Sequence, residues 1–315
     1  MSGVRVSAPG KLMIAGEYAV LEGAPALVAA INRRIILGRP PSGVPTNRAP
    51  VDALGPEIEQ VFELQGQPRG DLHIDRSALY REGRKLGLGS SAAGAAAAAA
   101  LALYEARETI TSERVFELAL RAHRAVAPKG SGVDVLASSF GGLLLANPSA
   151  LEHPMRLGPE KALGGMSMSV IDTGKSARTS TFLEAIEAHR RASPRASREA
   201  FRRLCECMEA IEMAVLQPSP TEVMEGIAEY GARMEALGAI TSLPIVEERL
   251  KGIAALARSF GGVSKPSGAG GGDIALALFR DAEAKQNFER RATERGFVPV
   301  ALCIDPEGAH VEADE

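Results

Sequence analysis

Tryptophan is absent from the 315-residue chain and aromatic residues make up only 4%, so the core has to be assembled from alanine, leucine, valine and isoleucine. Cysteine is nearly as scarce. Cys205, Cys207 and Cys303 cannot make a disulfide framework, and no second Cys or His pair stands near Cys205 and Cys207 to complete a zinc site. They read as reduced packing residues, and the expected setting is cytoplasmic. Charge of one sign is lacking too: a formal net charge of -3 provides no basic footprint, so no nucleic-acid partner is expected and phosphate binding has to be local. Met1-Ser2-Gly3-Val4-Arg5 leads into a polar turn, and the apolar run Ala92 to Leu103 is too short and too rich in alanine to cross a bilayer. Neither a signal peptide nor a membrane partner is expected.

What is present is a soluble globular composition, 45% hydrophobic and 24% charged, in a chain long enough for two domains. Strand and helix patterns are mixed along it, an α+β composition. The loop from Asn147 to Gly165 is the expected boundary, giving units 1–160 and 161–315.

Glycine is concentrated where chemistry is expected. Lys85-Leu86-Gly87-Leu88-Gly89-Ser90-Ser91-Ala92-Ala93-Gly94 opens into an alanine-rich run that is a strong helix former. A helix N-terminus after bare backbone binds anions, because its first N–H groups lack internal partners and the macrodipole is positive there. Ser90 and Ser91 can cap the helix, bind phosphate or reach a metal ion. No Lys follows the last glycine, so this is not the Gly-x-x-x-x-Gly-Lys-Ser/Thr loop.

Val4, Val6 and Ala8 alternate as a first strand that Pro9-Gly10 is expected to end. Lys11 and Glu17 then interrupt an apolar stretch, either as an ordinary salt bridge or as site residues. Ala26 to Ile31 and Arg33 to Leu37 read as two strands, and the proline-rich segment Pro40 to Pro50 as an exposed flap. Thr111 is a cap for a helix running to Val126. In the turn Gly130-Ser131-Gly132-Val133-Asp134-Val135, Asp134 either caps the next helix or serves a site. Strand Ser167 to Ile171 leads into a hydroxyl-rich turn whose Lys175 and Arg178 suit an oxyanion. Helices follow, then Lys265-Pro266-Ser267-Gly268-Ala269-Gly270-Gly271-Gly272-Asp273, a loop almost without side chains, then the apolar run Ile274 to Phe279. Val298 to Ile304 reads as the last strand.

Taken together, the segments Pro9 to Gly23, Lys85 to Gly94 and Lys265 to Asp273 resemble the three motifs of the GHMP kinases, in the family's order. The resemblance implies a ribosomal-protein-S5-like N-terminal domain and a ferredoxin-like C-terminal domain, with ATP in the cleft between them. It implies catalytic roles for Lys11 and Asp134. ATP would rest on Lys85, Gly87, Leu88, Gly89, Ser90, Ser91 and Ala92, with Mg²⁺ at Ser90 or Ser91. The acceptor would meet Lys11, Glu17, Tyr18, Ser131 and Asp134 from the first domain, and Lys175, Arg178, Ser267, Gly268, Ala269 and Gly270 from the second.

Within the family, Gly16-Glu17-Tyr18, Lys85, the Asp134 turn and the terminal Asp273 are closer to phosphomevalonate kinases than to mevalonate kinases. Mevalonate kinases carry a magnesium-binding Glu on the helix before the catalytic Asp, and His123 occupies about that position. The implied reaction is γ-phosphoryl transfer from ATP to 5-phosphomevalonate. Mevalonate is the alternative acceptor, and an inactive ligand-binding protein of the same fold is a third reading. A monomer or homodimer is expected.

Overall fold

The computed structural model describes residues 4–40, 55–175 and 179–312. Arg178, and the expected flap beyond Pro40, lie outside the described residues.

The first unit is built on a long antiparallel pair, β1 (Arg5–Ala15) and β2 (Ala26–Gly38). Pro9-Gly10 does not end the first strand, and β2 is one strand instead of two. The ladder absorbs the missing proline donor in an irregularity: Pro9 stands opposite Arg34 and Gly10 opposite Ile31, so two residues of β2 are passed over. That irregularity lets another loop lie against the strand. A Cβ on Gly10 would fall 2.6 Å from the carbonyl oxygen of Leu88, and the same oxygen accepts the Lys11 N–H at 2.8 Å.

After α1 (Pro56–Leu64) and β3 (His73–Asp75), a small hairpin of β4 (Tyr80–Arg81) and β5 (Arg84–Lys85) delivers the chain to α2 (Ser90–Glu105). Helix α2 is buried from Ala92 through Leu103, and it is apolar on every side because α3 (Ser112–Val126), α4 (Val133–Phe140), α1, β1 and β2 all pack against it. Small side chains permit that crowding: a Cβ on Gly94 would lie 3.3 Å from Ile58. Thr111 caps α3 as expected, its hydroxyl accepting the Arg114 N–H at 3.3 Å. β6 (Leu143–Ala146) then extends the sheet beside β2, β7 (Met155–Leu157) pairs with β6, and α5 (Pro159–Ala162) follows.

The second unit begins with β8 (Ser167–Asp172) and continues through α6 (Thr179–Ala192), α7 (Pro194–Leu216), α8 (Pro220–Thr241) and α9 (Glu248–Ser259). It is completed by β9 (Val263–Ser267), β10 (Ile274–Phe279), α10 (Ala282–Glu294) and β11 (Val298–Pro299). Its antiparallel sheet has the order β11-β8-β10-β9, fourth beside first and third between first and second, which is the ferredoxin-like arrangement. Both faces of this sheet are covered. Ile274, Leu276 and Leu278 join the large core that also holds Met208, Ile227 and Tyr230, whereas Ala275, Ala277 and Phe279 join a smaller one with Leu250, Ile253 and Phe288. This is why Ile274 to Phe279 reads as unbroken apolar sequence.

The end of the chain departs from expectation. Val298–Pro299 pairs with β8 and the Val300 N–H donates to the Val170 carbonyl at 2.8 Å; the chain then crosses back, Ile304 bridges Ile31, and β12 (His310–Val311) adds to β1 opposite Val6 and Ser7. Arg34 fastens the return, pairing with Asp305 at 2.6 Å and donating to the Gly308 carbonyl at 2.6 Å. By pairing, these last residues belong to the first sheet, although the sequence pattern assigns them to the second unit.

Candidate active site

A cleft of about 840 Å³ opens where the three glycine motifs meet. Its floor follows from the local backbone. Leu86 and Leu88 are buried and anchor the second motif, while Gly87 and Gly89 between and after them take φ of 75° and 81°. Side chains are excluded there on two grounds: a Cβ on Gly87 would lie 2.6 Å from the Asp273 side chain, and one on Gly89 2.6 Å from Cγ of Lys11. Gly89 is also the N-cap of α2, and no side chain caps that end. Neither Ser90 nor Ser91 closes the helix, so the first-turn N–H groups stay available to an anion, with both serines lining the cleft beside them. Leu88 and Ala92 are buried and contribute backbone and packing.

Lys11 reaches over this loop from β1. Its stem rests on Gly89 and its ammonium donates to the Gly87 carbonyl at 3.3 Å. Asp134 lines the same cleft from the first turn of α4; Gly132 is the N-cap, so Asp134 is not. The Asp134 side chain is 31% exposed, its Oδ1 accepts the Val135 N–H at 3.0 Å, and it lies 4.0 Å from Nε2 of buried His123. Ser131 lines the same wall, its Oγ accepting the Val133 N–H at 3.4 Å. Lys85 and Lys129 add positive charge to the rim.

Glu17 does not pair with Lys11. It pairs with Lys265, at the head of the third motif, 2.5 Å away and fully enclosed. Three further links fix the first motif to the third: Ser267 Oγ donates to the Met13 carbonyl at 2.8 Å and accepts the Met13 N–H at 3.1 Å, and the Tyr18 hydroxyl donates to the Ala269 carbonyl. Burial, helped by neighbouring Glu17, pushes the Tyr18 hydroxyl well above the ordinary tyrosine range, so Tyr18 acts as a donor and not as a base. Ser267, Gly268 and Ala269 line the cleft. Gly270 is turned elsewhere: a Cβ on it would meet the Ile245 carbonyl at 2.2 Å, and one on Gly271 the Phe182 ring at 2.3 Å. The bareness of that loop serves close packing within the protein as much as ligand access.

Lys175 is not part of the cleft lining; its ammonium pairs with Glu247 at 2.8 Å. Two arginines of the first unit reach the second. Arg84 Nη2 donates to both oxygens of buried Asp172, at 2.8 and 2.7 Å, and Arg81 pairs with the same carboxylate at 3.1 Å. This triad ties the hairpin that delivers Lys85 to the end of β8. Asp172→Ala is expected to cost about 2 kcal/mol and lower the thermal midpoint by about 5 °C, since two arginines lose their common partner. An unchanged midpoint in differential scanning calorimetry would mean that the triad is incidental. Sequence spacing carried no signal for Arg84–Asp172 or Glu17–Lys265, whose partners are 88 and 248 residues apart.

The profile of the GHMP kinases N terminal domain matches residues 59–142, and that of the GHMP kinases C terminal domain matches residues 214–297. A phosphomevalonate kinase from Streptomyces sp. (strain CL190) is 30% identical to the chain, over 96% of this chain and 97% of that protein. The chain belongs to the GHMP kinases. A mevalonate kinase from Aeropyrum pernix is also 30% identical, with 98% of each chain covered. Among solved structures, the Streptococcus pneumoniae phosphomevalonate kinase in complex with phosphomevalonate and AMPPNP superposes with a TM-score of 0.79 at 21% identity, over 95% of this chain and 99% of that one. The two-domain GHMP kinase fold therefore extends over nearly the whole molecule. As a GHMP kinase, the protein is an ATP-dependent kinase.

Proposed function

We propose that this GHMP kinase acts in the mevalonate pathway and transfers the γ-phosphoryl group of ATP to the phosphate of (R)-5-phosphomevalonate, giving 5-diphosphomevalonate and ADP. The observation that carries the choice of acceptor is the charge lining the cleft around Asp134. Asp134 there stands 4.0 Å from Nε2 of His123, and the ammonium groups of Lys11, Lys85 and Lys129 line the same cleft, cations that suit an acceptor arriving already anionic. Relatives named for either acceptor are equally similar at 30% identity, which leaves the decision to these side chains.

Phosphoryl transfer asks chiefly for in-line positioning and neutralised charge. The N–H groups at the start of α2 would cradle the triphosphate, with Lys85 at the rim. Lys11 would reach the transferring group from β1. A phosphate acceptor is ionised at neutral pH, so Asp134 orients it and is not required to remove a proton. The Ser90 and Ser91 hydroxyls suit Mg²⁺, a hard cation held mostly by nucleotide phosphates and water, and the ion would neutralise charge between the β- and γ-phosphates. These serines would hold it beside the loop. Among the described residues no helix is long and apolar enough to cross a membrane, in keeping with small, dissolved substrates.

Coupled assays run in parallel with phosphomevalonate and mevalonate test the assignment: turnover of phosphomevalonate is expected, and turnover of mevalonate alone would make the protein a mevalonate kinase. Asp134→Asn is expected to lower kcat by about 10²-fold with nucleotide affinity changed by less than about threefold. Equal losses in both would assign Asp134 to the fold.

A further inference from the structure

One buried ion pair joins the two units at the cleft, where Glu17 belongs to the lining and Lys265 stands behind it. The Lys265 side chain is 0% exposed and that of Glu17 is 3% exposed, with 2.5 Å between Nζ and Oε1. Lys265 also donates to the Pro266 carbonyl at 2.7 Å and lies 5.7 Å from the centre of the Tyr230 ring, whose hydroxyl donates to the Glu17 carbonyl at 2.6 Å. The same Glu17 Oε1 accepts the N–H of Gly268 at 3.1 Å. Burial pulls the Lys265 ammonium below the ordinary lysine range, with nearby Lys11 acting in the same direction and Glu17 opposing both.

Such a pair is a poor device for stability. Removing two charges from water costs about as much as their contact returns, and the second Glu17 oxygen is buried with no partner among the described residues. What the pair does fix is register between the units. Glu17 holds Gly268, and a Cβ on Gly268 would lie 3.8 Å from the Lys11 ammonium, so the third motif is seated by Glu17 directly beside the cation of the first. We propose that Glu17 and Lys265 are positioning residues for phosphoryl transfer: they seat the Gly268 loop against Lys11 and thereby aim its ammonium, acting through that loop and not on the substrate. This differs from the substrate contact that the family resemblance implies for Glu17.

The test compares three proteins with whichever acceptor the unmodified enzyme turns over, so its outcome is independent of the acceptor assignment. In Glu17→Leu/Lys265→Met both charges are replaced by apolar side chains, which removes the burial cost together with the anchor for Gly268. That variant is expected to keep its thermal midpoint and its affinity for a non-hydrolysable ATP analogue within about threefold, with acceptor KM unchanged, while kcat falls about 10²-fold. Glu17→Gln/Lys265→Met retains an acceptor for the Gly268 N–H and is expected to recover about tenfold of that loss. The proposal is overturned by a kcat within about threefold of the unmodified enzyme in the Leu/Met protein, or by a raised acceptor KM at unchanged kcat, which would make Glu17 a substrate contact. Failure of both double variants to fold would also overturn it, since the pair would then be a requirement of the fold.

Discussion

Lys11→Met is expected to lower kcat by about 10³-fold and to leave the protein folded, with nucleotide affinity reduced by less than about tenfold. The substitution is chosen for what it keeps. The Lys11 stem packs on Gly89, and methionine retains that length while removing the charge. Among the described residues the ammonium has only a 3.3 Å bond to a neutral carbonyl, that of Gly87, to give up when an anion arrives. A charge held weakly in the resting state and strongly against a transferring phosphoryl group stabilises the transition state more than the ground state, so its removal registers in kcat. Steady-state kinetics with both substrates saturating, together with calorimetric titration of a non-hydrolysable ATP analogue, separates the two quantities. A kcat within tenfold of the unmodified enzyme would remove Lys11 from the chemistry.

Gly89→Ala is the second large effect, and it is expected to fall on nucleotide binding. At φ of 81° an alanine is disfavoured by about 1–2 kcal/mol, and its Cβ would also press on Lys11 Cγ at 2.6 Å. The loop must therefore shift away from the cleft floor, carrying the first N–H groups of α2 with it. The backbone penalty falls on stability, and the displaced amides are expected to weaken binding of the ATP analogue about thirtyfold, about 2 kcal/mol. Gly23→Ala is the matched control. Gly23 has φ of 92° and nothing within 4 Å of where a Cβ would stand, so it carries the same backbone penalty without touching the loop, and should cost stability alone. Equal affinities for Gly89→Ala and Gly23→Ala would show that the nucleotide does not rest on this backbone.

Much of the candidate site's backbone was legible because it is written in local sequence. Gly87 and Gly89, the uncapped start of α2, Asp134 in the first turn of α4 and the bare loop after Ser267 are each fixed by a few neighbouring residues whose backbone demands show in composition. The apolar run Ile274 to Phe279 likewise signalled β10, whereas the ferredoxin-like arrangement of its sheet was implied only by the resemblance to the GHMP kinases. What stayed hidden depends on contacts far apart in the chain. The strand β1 runs through Pro9-Gly10 because Leu88, from another motif, supplies the partner that the local sequence lacks. The return of the chain to β1 rests on Arg34 meeting Asp305 and Gly308, and no periodicity near residue 304 announces it. Lys175 reads as an oxyanion ligand from its hydroxyl-rich surroundings, and its pairing with Glu247, on a different segment, had no local signal. Glu17 showed as a charge in an apolar stretch, and the nearer lysine in sequence was the wrong partner: Lys265 lies across the domain boundary.

Hydrogen–deuterium exchange, with and without a non-hydrolysable ATP analogue and Mg²⁺, tests the central claim most directly, because that claim concerns backbone amides. The N–H groups of Gly87 through Ala92 are expected to gain protection on nucleotide binding, more than any other turn in the first unit. Protection confined to other segments, with these six amides exchanging as in the free protein, would contradict the account.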